Sequence, residues 1–198
     1  MLDRIMSYFS RKKRIRQNTT LIKKGVLMVG YNSDIENLEI LIATDLKHDV
    51  INIVIGDDCI LNGKIILYNT ASKVIIGNRV YIGPQTTLFC NNGITIENDV
   101  LLSWGITIID TNAHSVRFEE RKMDVLNWKK GLKNWDNILS APVLIRSKVW
   151  VGFNSIITKG VTIGQEAIIS CGSVVVKNVE ENSVVGGNPS IIIKRNEA

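Results

Sequence analysis

An aliphatic side chain recurs at every sixth position along much of this chain. The longest uninterrupted run keeps its register through six repeats: Ile145, Val151, Ile157, Ile163, Ile169 and Val175. A small or β-branched residue follows each of them four positions later, from Val149 to Val179. The same register occurs earlier, over Ile76–Leu88 and Ile96–Ile108. A period of six matches neither an amphipathic helix, whose period is about 3.6, nor a simple β alternation.

This period predicts a short strand and a turn, repeated so that the aliphatic side chains always face the interior. Three units would form one triangular coil, and coils stacked ~4.8 Å apart would share a column of isoleucine, valine and leucine. A glycine follows the aliphatic position at five places: Gly56, Gly77, Gly83, Gly152 and Gly164. Since these glycines fall at corners, we expect positive φ there.

The repeat stops for about thirty residues, from about 113 to 142, and then resumes in register; an excursion of this length inside a compact domain is usually functional. The excursion loop is charged and contains Trp128 and Trp135. Two tryptophans in a polar loop need cover from the coil, a neighbouring subunit or a ligand. The sequence is equally compatible with tryptophans that only pin the loop and with tryptophans that contact a ligand.

The cysteine and histidine counts exclude several kinds of site. Three widely spaced cysteines, Cys59, Cys90 and Cys171, argue against a disulfide framework or a tetrahedral zinc site and favour a reducing cytoplasm. Only His48 and His114 are present, so no single chain can supply three imidazoles. No apolar run reaches the ~18 residues of a transmembrane helix, and the N-terminus does not resemble a secretory signal.

The positive charge is concentrated at the N-terminus. The chain carries +5 overall. Residues 1–24 carry eight lysines and arginines against Asp3 alone, a net charge of +7, so the rest of the chain carries −2. We find no motif for nucleic-acid binding in the rest of the chain. Residues 1–20 predict an amphipathic basic helix with one apolar face, formed by Leu2, Ile5, Met6 and Phe9. We favour a cap on the open end of the coil, and a peripheral membrane contact through residues 1–18 is the alternative.

His114 lies where the coil ends and the excursion loop begins, within the segment Asp110–Ser115. An imidazole titrates near neutral pH and can act as a general base for a hydroxyl, which is a poor nucleophile until its proton is removed. Asp110 or Asn112 would either orient the imidazole or satisfy backbone groups at the loop exit. The sequence leaves these two roles open.

Three segments, in order, resemble signatures of the hexapeptide-repeat acyltransferase family. Trp104–Ser115 resembles the family's catalytic-histidine segment, and Val149–Gly152 resembles its V-W-I/V-G signature. Gly172–Ser190 resembles its C-terminal segment, with Lys177 at the family's lysine position. The resemblance covers roughly residues 50–188. It implies an all-β fold, a left-handed parallel β-helix over residues 21–188 with the loop at 113–142, a short N-terminal helix and a tail at 189–198.

The resemblance also implies a CoA-dependent acyltransferase, most often one that transfers acetyl directly to a hydroxyl, with His114 as general base. A backbone N–H near Gly152 or Phe153 would hold the oxyanion. Matching motifs carry acetyl-CoA contacts over to eight positions: Trp150, Gly152, Phe153, Cys171, Val176, Lys177, Ile191 and Lys194. Lys177 and Lys194 suit the cofactor's phosphates, whereas Ile191 stands where one type of relative has arginine.

For the acceptor, Gln85 or Thr86 stands where sugar-acetylating relatives present an asparagine, and Trp128 and Trp135 are further candidate contacts. The family implies a homotrimer with active sites between subunits.

We therefore expect a cytoplasmic O-acetyltransferase, or one at the inner face of the membrane, that acts on a sugar hydroxyl of a cell-surface polysaccharide or its precursor and uses no metal. An amino-sugar N-acetyltransferase and an antibiotic acetyltransferase are alternatives with the same chemistry. A metal enzyme of the carbonic anhydrase type lacks its histidines here. A non-enzymatic β-helix scaffold ranks behind these readings, because it leaves Asp110–Ser115 unexplained.

Overall fold

The computed structural model describes residues 2–43 and 50–195, with side chains of the first helix from Ser10 onward. His48 lies outside the described residues, as do the side chains of the apolar face proposed for Leu2, Ile5, Met6 and Phe9.

Within the described residues, nineteen short strands form three sheets. Sheet 1 contains β1 (Leu27–Val29), β3 (Ile53–Ile55), β6 (Lys73–Ile76), β9 (Gly93–Ile96), β12 (Val143–Ile145) and β15 (Thr162–Ile163). Sheet 2 contains β4 (Ile60–Leu61), β7 (Tyr81–Ile82), β10 (Leu101–Leu102), β13 (Trp150–Val151), β16 (Ile168–Ile169), β18 (Ser183–Gly187) and β19 (Ser190–Arg195). Sheet 3 contains β2 (Glu39–Ile42), β5 (Lys64–Leu67), β8 (Thr87–Cys90), β11 (Thr107–Ile109), β14 (Ile156–Ile157) and β17 (Val174–Val175).

From β3 to β17 the chain visits sheets 1, 2 and 3 in turn, so each circuit forms one triangular coil. Every strand pair is parallel except the final pair of β18 with β19. This architecture is the left-handed parallel β-helix, and the predicted fold is confirmed.

The six-residue period appears in the structure as exact stacking between coils. In sheet 1 the register pairs Ile55 with Ile76, Ile76 with Ile96, Ile96 with Ile145 and Ile145 with Ile163. All five side chains are buried in one continuous core. Each such burial contributes about 1.5–3 kcal/mol relative to an exposed side chain, which explains why the sequence keeps its phase.

The conformation predicted for the five corner glycines is wrong. Positive φ occurs instead mainly at polar residues; Arg79, Asp99 and Lys148, for example, have φ between 55 and 62°. The glycines are required by close approach between coils, since a Cβ on Gly56 would lie 2.6 Å from the carbonyl oxygen of Gly77. Backbone of the next coil therefore occupies the space that a side chain would need.

Helix α1 (Leu2–Lys23) continues past residue 20, and its last turns lie on the first coil. The Gln17 side-chain amide donates to the carbonyl oxygen of Ile40 at 2.5 Å, and that of Asn18 donates to Leu38 at 3.1 Å. Leu21 is buried in the core. This end of α1 thus covers the open end of the coil. None of the helices in residues 2–43 and 50–195 has the length and apolarity to span a membrane.

At the other end of the coil, residues 183–195 form the antiparallel β18–β19 hairpin, so the predicted tail at 189–198 contains a strand. The excursion loop holds two short helices, α2 (Phe118–Arg121) and α3 (Asp124–Trp128). An antiparallel bridge between Thr111 and Ser140 closes its neck.

Candidate active site

Because the strands of sheet 3 are parallel, the residues that follow them share one edge and the residues that precede them share the other. We call these the carboxyl edge and the amino edge of sheet 3. His114 follows β11, and Val176 and Lys177 follow β17, so all three belong to the carboxyl edge. Gln85 precedes β8, Phe153 precedes β14 and Cys171 precedes β17, and they belong to the amino edge.

The imidazole of His114 is held by a carboxylate from the excursion loop. Its Nδ1 lies 2.5 Å from Oδ2 of Asp124, the first residue of α3. The Asp124 side chain is 12% exposed and the His114 side chain 37%. The hydrogen bond from His114 lowers the pKa of Asp124, and the positive charge of Lys133 contributes further. An ionised Asp124 accepts the Nδ1 proton, which leaves Nε2 of His114 as the basic nitrogen.

His114 faces a cleft of about 330 Å³ at the carboxyl edge. The lining residues are Ala43, Tyr68, Ala113, His114, Trp128, Lys133 and Trp135. The ring centroids of His114 and Trp128 are 5.1 Å apart, and those of Tyr68 and Trp135 are 5.0 Å apart. Both tryptophans singled out in the sequence therefore lie beside the predicted base, in a concave and mostly aromatic site of the kind that binds small ligands.

Asp110 binds backbone groups, whereas a residue that orients the base would bind the imidazole of His114. Its buried carboxylate accepts the backbone N–H groups of Asn91, Asn92 and Gly93 at 2.7–2.8 Å. Burial raises the pKa of Asp110, whereas these three hydrogen bonds lower it. Asp110 thus holds a turn of the preceding coil.

Asn112 uses its backbone N–H at the neck of the loop, where it donates to Leu139 at 2.9 Å. The residue that orients the imidazole is Asp124, which the sequence analysis did not name. It stands among four acidic residues of the loop, and no spacing distinguishes it from Glu119, Glu120 or Asp136.

The amino edge carries exposed aromatic rings and a polar cavity. The rings of Trp104 and Phe153 are stacked, with their centroids 5.0 Å apart and an angle of 1° between the ring planes. Trp150 is half exposed on the outer face of sheet 2. Gln85 lines a cavity of about 690 Å³ together with Arg14 of α1 and Lys64. Within one chain, Gln85 and His114 therefore lie at opposite ends of the strands of sheet 3. A strand of three or four residues is roughly 10 Å long.

The remaining predicted acetyl-CoA contacts lie in different surroundings. The Gly152 N–H donates to the carbonyl oxygen of Ile169 at 2.8 Å, so it is occupied by the sheet and is unsuitable as an oxyanion donor. Ile191 and Lys194 lie exposed on β19, and the Cys171 thiol is free and exposed. Among the described residues, no group of three histidine, cysteine or acidic side chains could hold a metal ion.

Comparison with known proteins finds acetyltransferases that are similar to this chain, although no family model matches it. It is 30% identical over 129 residues to a galactoside O-acetyltransferase of Escherichia coli strain K12, covering 65% of this chain and 57% of that protein. It is 32% identical over 141 residues to a polysialic acid O-acetyltransferase of Escherichia coli O1:K1, covering 68% of this chain and 41% of the relative. The chain thus spans about half the length of these curated relatives.

Solved structures share the fold. The polySia-specific acetyltransferase NeuO is 26% identical, with a TM-score of 0.60 over 86% of this chain and 76% of its own. A hexapeptide-repeat acetyltransferase of Vibrio cholerae, solved with acetyl-CoA, is 20% identical, with a TM-score of 0.57 over 100% of this chain and 80% of its own. In its repeat, its coil and these relatives, the chain resembles the hexapeptide-repeat acyltransferase family, and two of the relatives are named as sugar O-acetyltransferases.

Proposed function

We propose that this protein transfers an acetyl group from acetyl-CoA to a sugar hydroxyl, with His114 as the general base. The observation that carries the proposal is the His114–Asp124 hydrogen bond of 2.5 Å beside a cleft lined by two tryptophans. A carboxylate on Nδ1 fixes the tautomer whose Nε2 can accept a proton from a hydroxyl. The curated relatives named for sugar O-acetylation support the reaction class.

Acetyl-CoA supplies the acetyl group as a thioester, which is activated toward attack. His114 Nε2 takes the hydroxyl proton while the oxygen forms its bond to the thioester carbonyl carbon. The C–S bond breaks, and the proton on His114 passes to the departing sulfur. The Phe153 N–H is the remaining candidate donor for the developing oxyanion. This direct route uses no protein nucleophile, so the free thiol of Cys171 needs no catalytic role.

We propose that the complete site lies between two copies of the chain, within a homotrimer. Support comes from the separation of His114 at the carboxyl edge from Gln85, Trp150 and Phe153 on the amino side. A strip of apolar side chains on sheet 2 also points outward in register, with Ile60, Leu101 and Trp150 each about half exposed. An exposed apolar strip of this kind is typical of a surface that a partner covers.

The acceptor we propose is a cell-surface polysaccharide or its precursor. The cleft is mostly aromatic, and flat rings suit the apolar faces of sugars, while the polar cavity around Gln85 offers hydrogen-bond partners. For the donor, exposed Lys177 and Lys194 would meet the phosphates. Free, buried thiols at Cys59 and Cys90 support a cytoplasmic location.

Calorimetry with acetyl-CoA, followed by an acceptor screen, tests the proposal. At 100 times its dissociation constant, acetyl-CoA should stabilise the fold by about 2.7 kcal/mol. The screen should contain methyl β-galactoside, oligosialic acid and an amino sugar, with products identified by mass spectrometry. An O-acetyl ester is the expected product. An amide would instead establish N-acetyl transfer, and no binding at millimolar acetyl-CoA would contradict the proposal in favour of a scaffold.

A further inference from the structure

Lys133 contacts several of the groups that surround the proposed base, His114. Its Nζ donates to the carbonyl oxygen of Ala113 at 2.5 Å and lies 3.8 Å from Oδ2 of Asp124. The same Nζ is 5.2 Å from the ring centroids of both Trp128 and Trp135, a cation–π distance for each. The side chain is 22% exposed. A lysine with this many partners is fixed in place, unlike the solvated lysines usual on a loop.

The carboxylate oxygen that Lys133 approaches is the one that binds His114. Oδ2 of Asp124 is 2.5 Å from Nδ1 of His114 and 3.8 Å from Nζ of Lys133. The lysine charge therefore compensates the carboxylate at the atom that holds the imidazole. The hydrogen bond to Ala113 adds a second connection, because Ala113 directly precedes His114 in the chain.

The excursion loop needs such a fastening, since its own helices are too short to be stable alone. α2 has four residues and α3 has five, and neither has a side-chain hydrogen bond at its N-cap. Lys133 links the returning limb of the loop to the outgoing limb at Ala113 and Trp128. Trp135 then packs against Tyr68, which follows β5 on the coil. The loop is thereby held to the carboxyl edge through Lys133 and its aromatic neighbours.

We propose that Lys133 is a positioning residue for the base: it fastens the excursion loop over the carboxyl edge and balances the charge of Asp124, so that His114 keeps one tautomer and one orientation. The catalytic part of this inference rests on the proposed function. The structural part does not, since the loop and the imidazole can be observed without any acceptor.

The test compares Lys133→Met with Lys133→Arg, which keeps the charge, and with Lys130→Met, which removes a lysine charge from an exposed position of the same loop. Nitrogen-15 NMR reports the tautomer of His114, because the chain has only two histidines and His48→Gln assigns the other. Hydrogen exchange of peptides within 111–140 reports the loop, and exchange of the coil peptides checks that each variant is folded.

We expect Lys133→Met to give mixed tautomers, about tenfold faster exchange confined to the loop, and a kcat about 100-fold lower with little change in KM. Lys133→Arg should recover most of these losses, and Lys130→Met should match wild type. A Lys133→Met protein with a single wild-type tautomer and unchanged loop exchange would overturn the inference. If wild type transfers no acetyl group while the NMR and exchange results hold, the proposed function fails and the positioning role stands.

Discussion

The two edges of sheet 3 belong to the same repeat and yet are built differently. At the carboxyl edge the chain leaves the coil for about thirty residues, and the returning loop places a carboxylate, a lysine and two tryptophans around His114. At the amino edge the chain keeps its tight turns, and the side chains there stand half exposed or line an open cavity.

This difference indicates which parts of such a coil can form an active site. A regular turn positions one or two side chains per coil and cannot enclose them. An insertion can enclose a base and set its hydrogen bonds. In the proposed homotrimer, the amino edge of one copy would face the enclosed base of a second copy.

The largest expected effect comes from removing the base at the carboxyl edge. His114→Ala should lower acetyl transfer by about 10³-fold or more, because no other side chain in the cleft replaces the proton acceptor. The transfer rate and the acetyl-CoA affinity should both be measured, and the affinity should remain near that of wild type. Turnover close to wild type in this variant would disprove the mechanism.

The second prediction separates two aspartates near the same loop exit. Asp124→Asn should lower kcat by about 100-fold, since the imidazole loses its fixed orientation. Asp110→Ala should instead destabilise the fold by about 3 kcal/mol, because three buried N–H groups lose their acceptor. Denaturant unfolding and kinetics on both variants provide the measurement, and each serves as the control for the other.

The lowered pKa of Asp124 adds a pH dependence to this comparison. A carboxyl whose folded pKa is depressed stabilises the fold above its ordinary range and loses that contribution as the pH falls through the folded value. The difference in melting temperature between wild type and Asp124→Asn should therefore shrink below about pH 4. A difference that grows on acidification would contradict the hydrogen bond to His114.

A smaller effect is expected at the amino edge. Gln85→Ala should raise the acceptor KM by about tenfold, the loss expected for one polar contact to a sugar, with the acetyl-CoA affinity unchanged. Asn62→Ala, in the same cavity but one coil earlier, is the matched control. Equal effects in both variants would show that the cavity is disturbed as a whole and that Gln85 makes no specific contact.

The sequence predicted the coil well because its signal is repeated. Each strand and turn places one aliphatic side chain in the core, and stacked positions such as Ile76 and Ile96 repeat this pattern from coil to coil. The position of His114 at the start of the excursion loop was also predictable, since that loop is the one long break in the repeat, and its role as the base stays a prediction.

The other residues of the candidate site could not be predicted from the repeat. Asp124 and Lys133 meet His114 through a loop whose path depends on contacts between Trp135 and the coil, and no periodicity encodes that path. The reason for the corner glycines was missed because close approach between coils is a property of the stack and is invisible in a single turn.

Subunit complementation tests most directly the claim that the base and the acceptor edge come from different copies. His114→Ala would be mixed with the double variant Gln85→Ala, Trp150→Ala, and the subunits exchanged under differential tags, with the acceptor held below its KM so that each variant alone retains about a tenth of wild-type activity or less. Random trimers from an equal mixture would contain one intact site in each mixed trimer, which predicts about a quarter of wild-type activity. Activity that stays at the level of the separate variants, with mixed trimers demonstrated, would contradict the shared site.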